Sequence, residues 1–292
     1  MTNPPRVVHG DCLEMMKMLP DSSVDSIVTD PPYGLGFMGK AWDALPPGEE
    51  WAAECLRVLK PGGHLLAFGG SRTWHRLAVA VEDAGFEIRD SIAWMHSEGF
   101  PKHRATLKPA FEPVVMGRKP FRGSLAANEA EHGTGALNID GCRIGGNIDE
   151  MRRRSGTAAT PGGDTSSFRA HNAGGGIWEP ALAGRWPANV ALDDATAADV
   201  GASARFFYVA KATKKERPAV DGVAHPTVKP LALMRWLVKL VTPSGGTVLD
   251  PFAGSGTTVE ACILEGFHCI AIEREAEYLP LIQARIERQD AA

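Results

Sequence analysis

Hydrophobic positions along this chain alternate between two patterns, short unbroken runs and stretches in which they recur every three or four residues. Clusters of Gly, Pro, Asp and Ser separate them. Val7-Val8-His9 is a short β-branched run, and Leu13, Met16, Met18 and Leu19 then follow helical spacing. Val24 to Thr29 predicts a buried strand, Glu49 to Leu59 a helix with Trp51, Cys55, Leu56 and Leu59 on one side, and His64 to Phe68 another strand. A helix over Arg72 to Ala84 and an alternating strand over Phe86 to Ile92 complete the first series, and Glu112 to Arg118 adds one more short strand. Near the end the same alternation returns: helix Leu231 to Val241, strand Thr247 to Asp250, helix Thr257 to Leu264, strand His268 to Ile272, and a last helix from Ala276. Repeated β-α-β units predict an α/β fold built on a doubly wound, mostly parallel sheet.

Between these two series the periodicity weakens. The tract from Lys119 to Arg205 includes the Gly, Ser, Thr and Arg-rich segment Asn147 to Gly176. So much irregular chain in a compact domain points to binding or mobility. The division expected is therefore 1–118 as one half of the main domain, 119–205 as an insertion with Asn147 to Gly176 its flexible part, and 206–292 as the second half. The net charge of -4 conceals an asymmetry. Residues 100 to 220 carry 17 basic and 12 acidic side chains, and the remainder carries 14 against 23. A basic middle on an acidic frame is where a polyanion would bind. Lys102, Arg104, Arg152, Arg153, Arg154, Lys214 and Lys215 are the candidates for contact with nucleic acid, although any one of them taken alone is equally a solvated side chain.

Composition narrows the setting. With 44% hydrophobic residues the chain is long enough to bury a sizeable core. Its first residues lack a signal-peptide core, and no stretch has the unbroken apolar length of a membrane span, which leads to the expectation of a cytoplasmic protein. The five cysteines form no Cys-x-x-Cys pair, so free thiols are expected and neither a metal site nor a disulfide framework.

Two stretches carry candidate chemistry. Asp30-Pro31-Pro32-Tyr33 ends the strand Val24 to Thr29 abruptly, because proline lacks an N-H donor and disfavours helix in the residue before it. An acid, two bare carbonyls and an aromatic ring are thereby left at the strand's C-terminal end, where open α/β sheets bind ligands. The second stretch, Asp250-Pro251-Phe252-Ala253-Gly254-Ser255-Gly256-Thr257-Thr258, reads as strand, glycine turn and helix start. Such a turn lets a nucleoside or anion approach the backbone. Glu273, at the end of the following strand, is placed to accept from ribose hydroxyls. The dinucleotide fingerprint calls for a third glycine where this chain has Thr257-Thr258-Val259, which weakens a nicotinamide-cofactor reading.

Together these stretches resemble the catalytic and cofactor motifs of amino-group DNA methyltransferases, and Phe252 to Thr258 is close to letter-perfect for the S-adenosylmethionine loop. The catalytic motif precedes the cofactor motif, as in the circularly permuted β group. Gly99-Phe100-Pro101-Lys102, Lys108 to Pro113, Gly184 to Asn189 and His225 to Met234 further resemble phage and prophage adenine methylases. The resemblance implies a methyltransferase-type fold, in which 119–205 recognises the DNA target. It implies S-adenosylmethionine as cofactor, double-stranded DNA as partner, and a homodimer, since related enzymes often dimerise. In that light Asp30, Pro31, Pro32 and Tyr33 are catalytic. Asp250, Phe252, Ala253, Gly254, Ser255, Gly256, Thr257, Thr258 and Glu273 form the cofactor site. Asp11 and Cys12 would meet the cofactor's adenine, and Thr227 and Lys229, within His225-Pro226-Thr227-Val228-Lys229-Pro230, would help hold its methionine part.

The electronics of the target fit those roles. An exocyclic amine delocalises its lone pair into the base, so acceptors on its N-H groups, from the Asp30 carboxylate and the Pro31 carbonyl, are needed to localise it. Tyr33 offers a face for stacking, and the base must leave the duplex to reach the turn. Adenine N6 is the expected target because Asp stands at position 30. Cytosine N4 is the alternative, since the same chemistry serves either amine. RNA or protein-amide methylation, a non-catalytic DNA-binding module and a nicotinamide oxidoreductase stand further off.

Overall fold

The computed structural model describes residues 4–36, 39, 41–44, 46–101, 104–145, 184–210 and 218–290. Nine strands form one sheet: β1 (Arg6–His9), β2 (Val24–Thr29), β3 (Leu59–Phe68), β4 (Glu87–Met95), β5 (Phe111–Arg118), β6 (Val190–Asp193), β7 (Tyr208–Ala210), β10 (Thr247–Asp250) and β11 (His268–Glu273). A separate hairpin is made by β8 (Ala219–Val220) and β9 (Val223–Ala224). Across the sheet the order is β1-β11-β10-β2-β3-β5-β4-β6-β7. Each neighbouring pair is parallel except those that β5 makes with β3 and with β4. The architecture is thus a mostly parallel α/β sheet with one reversed strand.

Strand β3 shows why the sheet needs cover on both sides. Leu65 and Ala67 point into one apolar cluster, whereas Leu66 and Phe68 point into another, as the two-residue period of a strand requires. The first cluster is completed by α1 (Cys12–Lys17), α2 (Glu49–Val58) and α3 (Trp74–Asp83), which contribute Met16, Trp51, Cys55, Leu77 and Val81. Three helices complete the second. With α4 (Leu125–His132) and α5 (Asp194–Val200) lying between in sequence, these are α6 (Leu231–Val241), α7 (Thr257–Glu265) and α8 (Leu279–Asp290). Helix α6 buries Leu233, Met234, Trp236, Leu237, Val238, Leu240 and Val241. At ~1.5 to 3 kcal/mol for each large apolar side chain fully removed from water, that face is what fixes the helix to the sheet.

Two departures from the sequence reading matter for the site. The expected strand at His64 begins instead at Leu59 and runs through Lys60-Pro61-Gly62-Gly63, with a register shift in its pairing to β2 between Val24 and Ser26. Gly63 makes this approach possible, for a Cβ there would stand 2.8 Å from the Asp25 carbonyl oxygen. The second departure concerns residues 119–205. Strand β6 lies within that interval and pairs in parallel with β4, so the interval's last part is built into the main sheet. A four-residue strand flanked by weak periodicity gives no alternation long enough to be read in advance. Asn147 to Gly176, expected to be flexible, lies outside the described residues.

Candidate active site

Strands β1, β2, β3, β4, β10 and β11 point the same way, so their C-terminal ends share one edge of the sheet. Because β5 runs against them, its first residues reach that edge too. A cavity of about 350 Å³ opens there, within the range of roughly 300 to 1,000 Å³ usual for small-molecule sites. It is lined from β2 by Asp30 to Tyr33, from β10 by Asp250 to Ser255, from β11 by Glu273, from β1 by Gly10 to Cys12, and from β5 by Glu112.

The turn after β2 is held by side chains from later in the chain. Asp43 accepts from three successive backbone N-H groups, with Tyr33 N at 2.7 Å and Gly34 N at 2.9 Å from Oδ1, and Leu35 N at 3.2 Å from Oδ2. Thr73 Oγ1 donates to the Tyr33 carbonyl oxygen at 2.6 Å. Inside the turn Lys229 Nζ donates to Asp30 Oδ2 at 2.6 Å and stands 3.2 Å from Glu112 Oε2. The Tyr33 hydroxyl lies 2.9 Å from Asp30 Oδ1 and 2.8 Å from Glu112 Oε2. Burial opposes the Lys229 charge, but Asp30 and Glu112 outweigh it and raise its pKa. Burial, with the same two carboxylates, pushes the Tyr33 phenol well above its ordinary value. Lysine therefore stays a cation and tyrosine a neutral donor.

The glycine turn faces this cluster across the cavity. Gly254 has φ +52° and Gly256 φ +81°, both in the left-handed region that glycine adopts without steric cost. Gly254 N donates to Glu273 Oε2 at 2.6 Å, and Glu275 N to Oε1 at 2.8 Å. Burial pushes the Glu273 carboxyl up to about 6, against the lowering effect of those two N-H groups. Asp250 is likewise pushed up to about 6 by burial, although hydroxyl and backbone donors oppose the shift. Its Oδ1 accepts from Thr29 Oγ1 at 2.7 Å, tying the two motif strands together. From behind, Arg285 Nε donates to the Ser255 carbonyl oxygen at 2.8 Å, and this fully buried guanidinium pairs with buried Glu260. At the adenine end proposed from sequence, Asp11 caps α1 by accepting from Leu13 N at 2.9 Å. Burial keeps the Cys12 thiol neutral, with its pKa raised to about 11.

Every candidate catalytic residue thus lines one cavity, and so do the candidate cofactor residues with one exception. Gly256 is turned away from the cavity, and a Cβ there would stand 3.1 Å from Ile282 Cα, so its smallness serves the packing of α8. Lys229, expected beside the cofactor's methionine part, lines the cavity and pairs its ammonium with Asp30 and Glu112. Among the nucleic-acid candidates Arg104 is exposed. Lys102, Arg152, Arg153, Arg154, Lys214 and Lys215 lie outside the described residues. Sequence reasoning had assigned nothing to Asp43 or Glu112. Glu112 is remote from Asp30 along the chain, and beforehand it was visible only as part of a strand pattern and of the Lys108 to Pro113 stretch.

Comparison with known proteins gives four points of reference. Residues 24–284 match the model of a family described as DNA methylase. The type II methyltransferase M.HpaI of Haemophilus parainfluenzae is 25% identical over 292 residues, covering 97% of this chain and 74% of that protein. Among solved structures, the complex of M1.HpyAVI with SAM superposes with TM-score 0.52 at 21% identity, covering 96% of this chain and 98% of the other. The cytosine-N4-specific PvuII DNA methyltransferase superposes with TM-score 0.59 at 16% identity, covering 100% of this chain and 92% of the other.

Proposed function

The chain belongs to the DNA methylase family, and on that premise we propose that it is a site-specific methyltransferase moving a methyl group from S-adenosylmethionine to the N6 amine of a flipped-out adenine in double-stranded DNA. One observation carries this reading. The acid turn Asp30 to Tyr33 and the glycine turn around Gly254 line the same cavity from adjacent strands, β2 and β10. Acceptor and methyl donor can therefore meet within one chamber.

The residues present fit the cofactor. Asp250, Phe252, Ala253, Gly254, Ser255, Thr257 and Thr258 would cradle it, with Glu273 accepting from its ribose, Asp11 and Cys12 beside its adenine, and Thr227 near its methionine part. When bound, S-adenosylmethionine supplies a methyl group made electrophilic by its sulfonium. The remaining work belongs to this chain. Asp30, with the Pro31 carbonyl, accepts from the amine and localises the nitrogen lone pair, and Tyr33 stacks on the base. Asp43 and Thr73 keep the turn rigid, so that alignment is prepaid.

The order of the motifs supports membership of the permuted β group, and likeness to a type II methyltransferase supports a role in restriction and modification. Adenine is preferred because aspartate stands at position 30. Cytosine N4 remains the second reading, favoured by the superposition on PvuII DNA methyltransferase. Residues 119–205, with the basic side chains Lys102, Arg104, Arg152, Arg153, Arg154, Lys214 and Lys215, would carry the contacts to DNA. Incubation of the protein with DNA and methyl-labelled cofactor, followed by digestion and mass spectrometry of the nucleosides, tests the assignment. N6-methyldeoxyadenosine is the expected product. N4-methylcytosine would move the protein to the second reading, and unlabelled DNA would overturn both.

A further inference from the structure

The acid turn contains more proton-accepting oxygens than protons. Tyr33 has one hydroxyl hydrogen, yet its oxygen lies 2.9 Å from Asp30 Oδ1 and 2.8 Å from Glu112 Oε2. It can donate to one carboxylate at a time, which leaves the other contact as lone pair against lone pair. One additional proton on either carboxyl group would make both contacts hydrogen bonds. Methylation of an amine releases one proton, and the amine is expected to sit on Asp30.

We propose that Asp30, Tyr33 and Glu112 form a relay that carries the displaced proton away from the target nitrogen, with Glu112 as its receiving end. This rests on the methyltransferase reading of the same cavity. As the nitrogen lone pair forms the N-CH3 bond, the S-CH3 pair returns to sulfur and nitrogen becomes positively charged. Its N-H bond then breaks towards Asp30 Oδ1, leaving the electron pair on nitrogen. Asp30 passes the proton to the Tyr33 oxygen as the Tyr33 hydroxyl proton moves to Glu112 Oε2. Asp30 and Tyr33 are restored, and Glu112 holds the proton.

The surroundings suit that direction. Asp30 Oδ2 is occupied by Lys229, so Oδ1 is the oxygen facing the relay. The Tyr33 phenol is held protonated by burial and by both carboxylates, and the transfer passes through a neutral hydroxyl. Lys229 touches both acids and offsets the charge of holding them together. Among the described residues, the charged and titratable groups around Glu112 are Asp30, Tyr33 and Lys229, together with His96, whose Nε2 lies 3.9 Å from Glu112 Oε1. Glu98 lines the same cavity. The Glu112 side chain is 23% exposed, which gives the proton a route to solvent.

Glu112 touches no reacting atom in this scheme, so its test must separate relaying from merely holding Tyr33. Single-turnover methyl transfer at saturating cofactor and DNA would be followed against pH for the wild type, Glu112→Gln, Glu112→Asp, Tyr33→Phe and the double variant Glu112→Gln/Tyr33→Phe. Thermal melts and cofactor titrations would accompany each. Glu112→Gln should slow transfer at least about tenfold, at the low end of what proton-transfer assistance contributes, and should alter the acid limb of the pH profile. Cofactor affinity should be unchanged, and Glu112→Asp should recover part of the rate. Tyr33→Phe keeps the ring and loses the relay, so the double variant should be no slower than the slower single one. A folded Glu112→Gln protein with the wild-type rate and pH profile would overturn the relay while leaving methyl transfer intact. Multiplicative losses in the double variant would overturn it as well. A wild-type protein that transfers no methyl group to DNA would overturn the relay together with the reading beneath it.

Discussion

Two acids in the cavity, Asp250 and Glu273, share a raised pKa for the same reason, removal from water, and the proposed cofactor site gives only Glu273 a ribose to accept from. Glu273 is held at about 6 by burial. The ionised form is the better acceptor, so cofactor binding through Glu273 should weaken as pH falls through about 6. Calorimetric titration of the wild type between pH 5 and 7.5 should show that loss, and Glu273→Gln should bind more weakly and with a flatter profile. For the apo protein the sign reverses. A folded value above the ordinary 4.5 means that the stability linked to this proton is present below the unfolded value and is lost as pH rises through about 6. The neighbouring glycine gives a second residue-level test. A side chain at Gly254 would stand against the His225 ring at 3.1 Å, in a backbone conformation that β-branched residues avoid. Gly254→Val should abolish measurable S-adenosylmethionine binding in a protein that still melts cooperatively. Unchanged affinity would remove this turn from the cofactor site.

At the scale of elements, what the sequence made legible was local, and what it concealed was brought together by the sheet. Strand β2, the double proline after it and the glycine turn are each contained in a few consecutive residues, and their placement at strand ends follows from pattern alone. Glu112 is different. It reaches Asp30 only because β5 is reversed between β3 and β4, and no periodicity distinguishes a reversed buried strand from a parallel one. Lys229 and Asp43 likewise lie outside the motif itself. One lies far along the chain from Asp30, and the other sits in a loop that folds back onto Tyr33 N. Gly256 shows the opposite failure, a motif residue whose reason is packing. A Cβ there meets the backbone of α8, so Gly256→Ala should lower stability by about 1 to 3 kcal/mol, the range for strain in a left-handed conformation. Chemical denaturation measures it. Arg285→Ala should cost about 3 kcal/mol or more by leaving Glu260 buried without its main partner.

For the whole molecule, we propose from charge and sheet edge together which side would meet DNA. The cavity mouth is flanked by the loop between β4 and β5, which carries exposed Arg104. The basic stretch from 100 to 220 contains 17 of the chain's 31 Lys and Arg residues. If these meet phosphate, replacing Lys102, Arg104, Lys214 and Lys215 together by Gln should weaken DNA binding across sequences and flatten its dependence on salt. Cofactor affinity should remain at the wild-type level. A salt slope equal to that of the wild type would place the DNA surface elsewhere. No helix among the described residues is long and apolar enough to cross a membrane.

The most direct test of the central claim is single-turnover methyl transfer by Asp30→Ala, at saturating cofactor and DNA, alongside thermal melts of both proteins. Asp30 accepts from Lys229, lies within hydrogen-bond distance of the Tyr33 hydroxyl and, by this account, accepts from the target amine during reaction. Its loss should remove at least ~2 to 3 kcal/mol of transition-state stabilisation, the scale of one preorganised polar contact. Cofactor and DNA should still bind. A folded Asp30→Ala protein that methylates DNA at close to the wild-type rate would contradict the account.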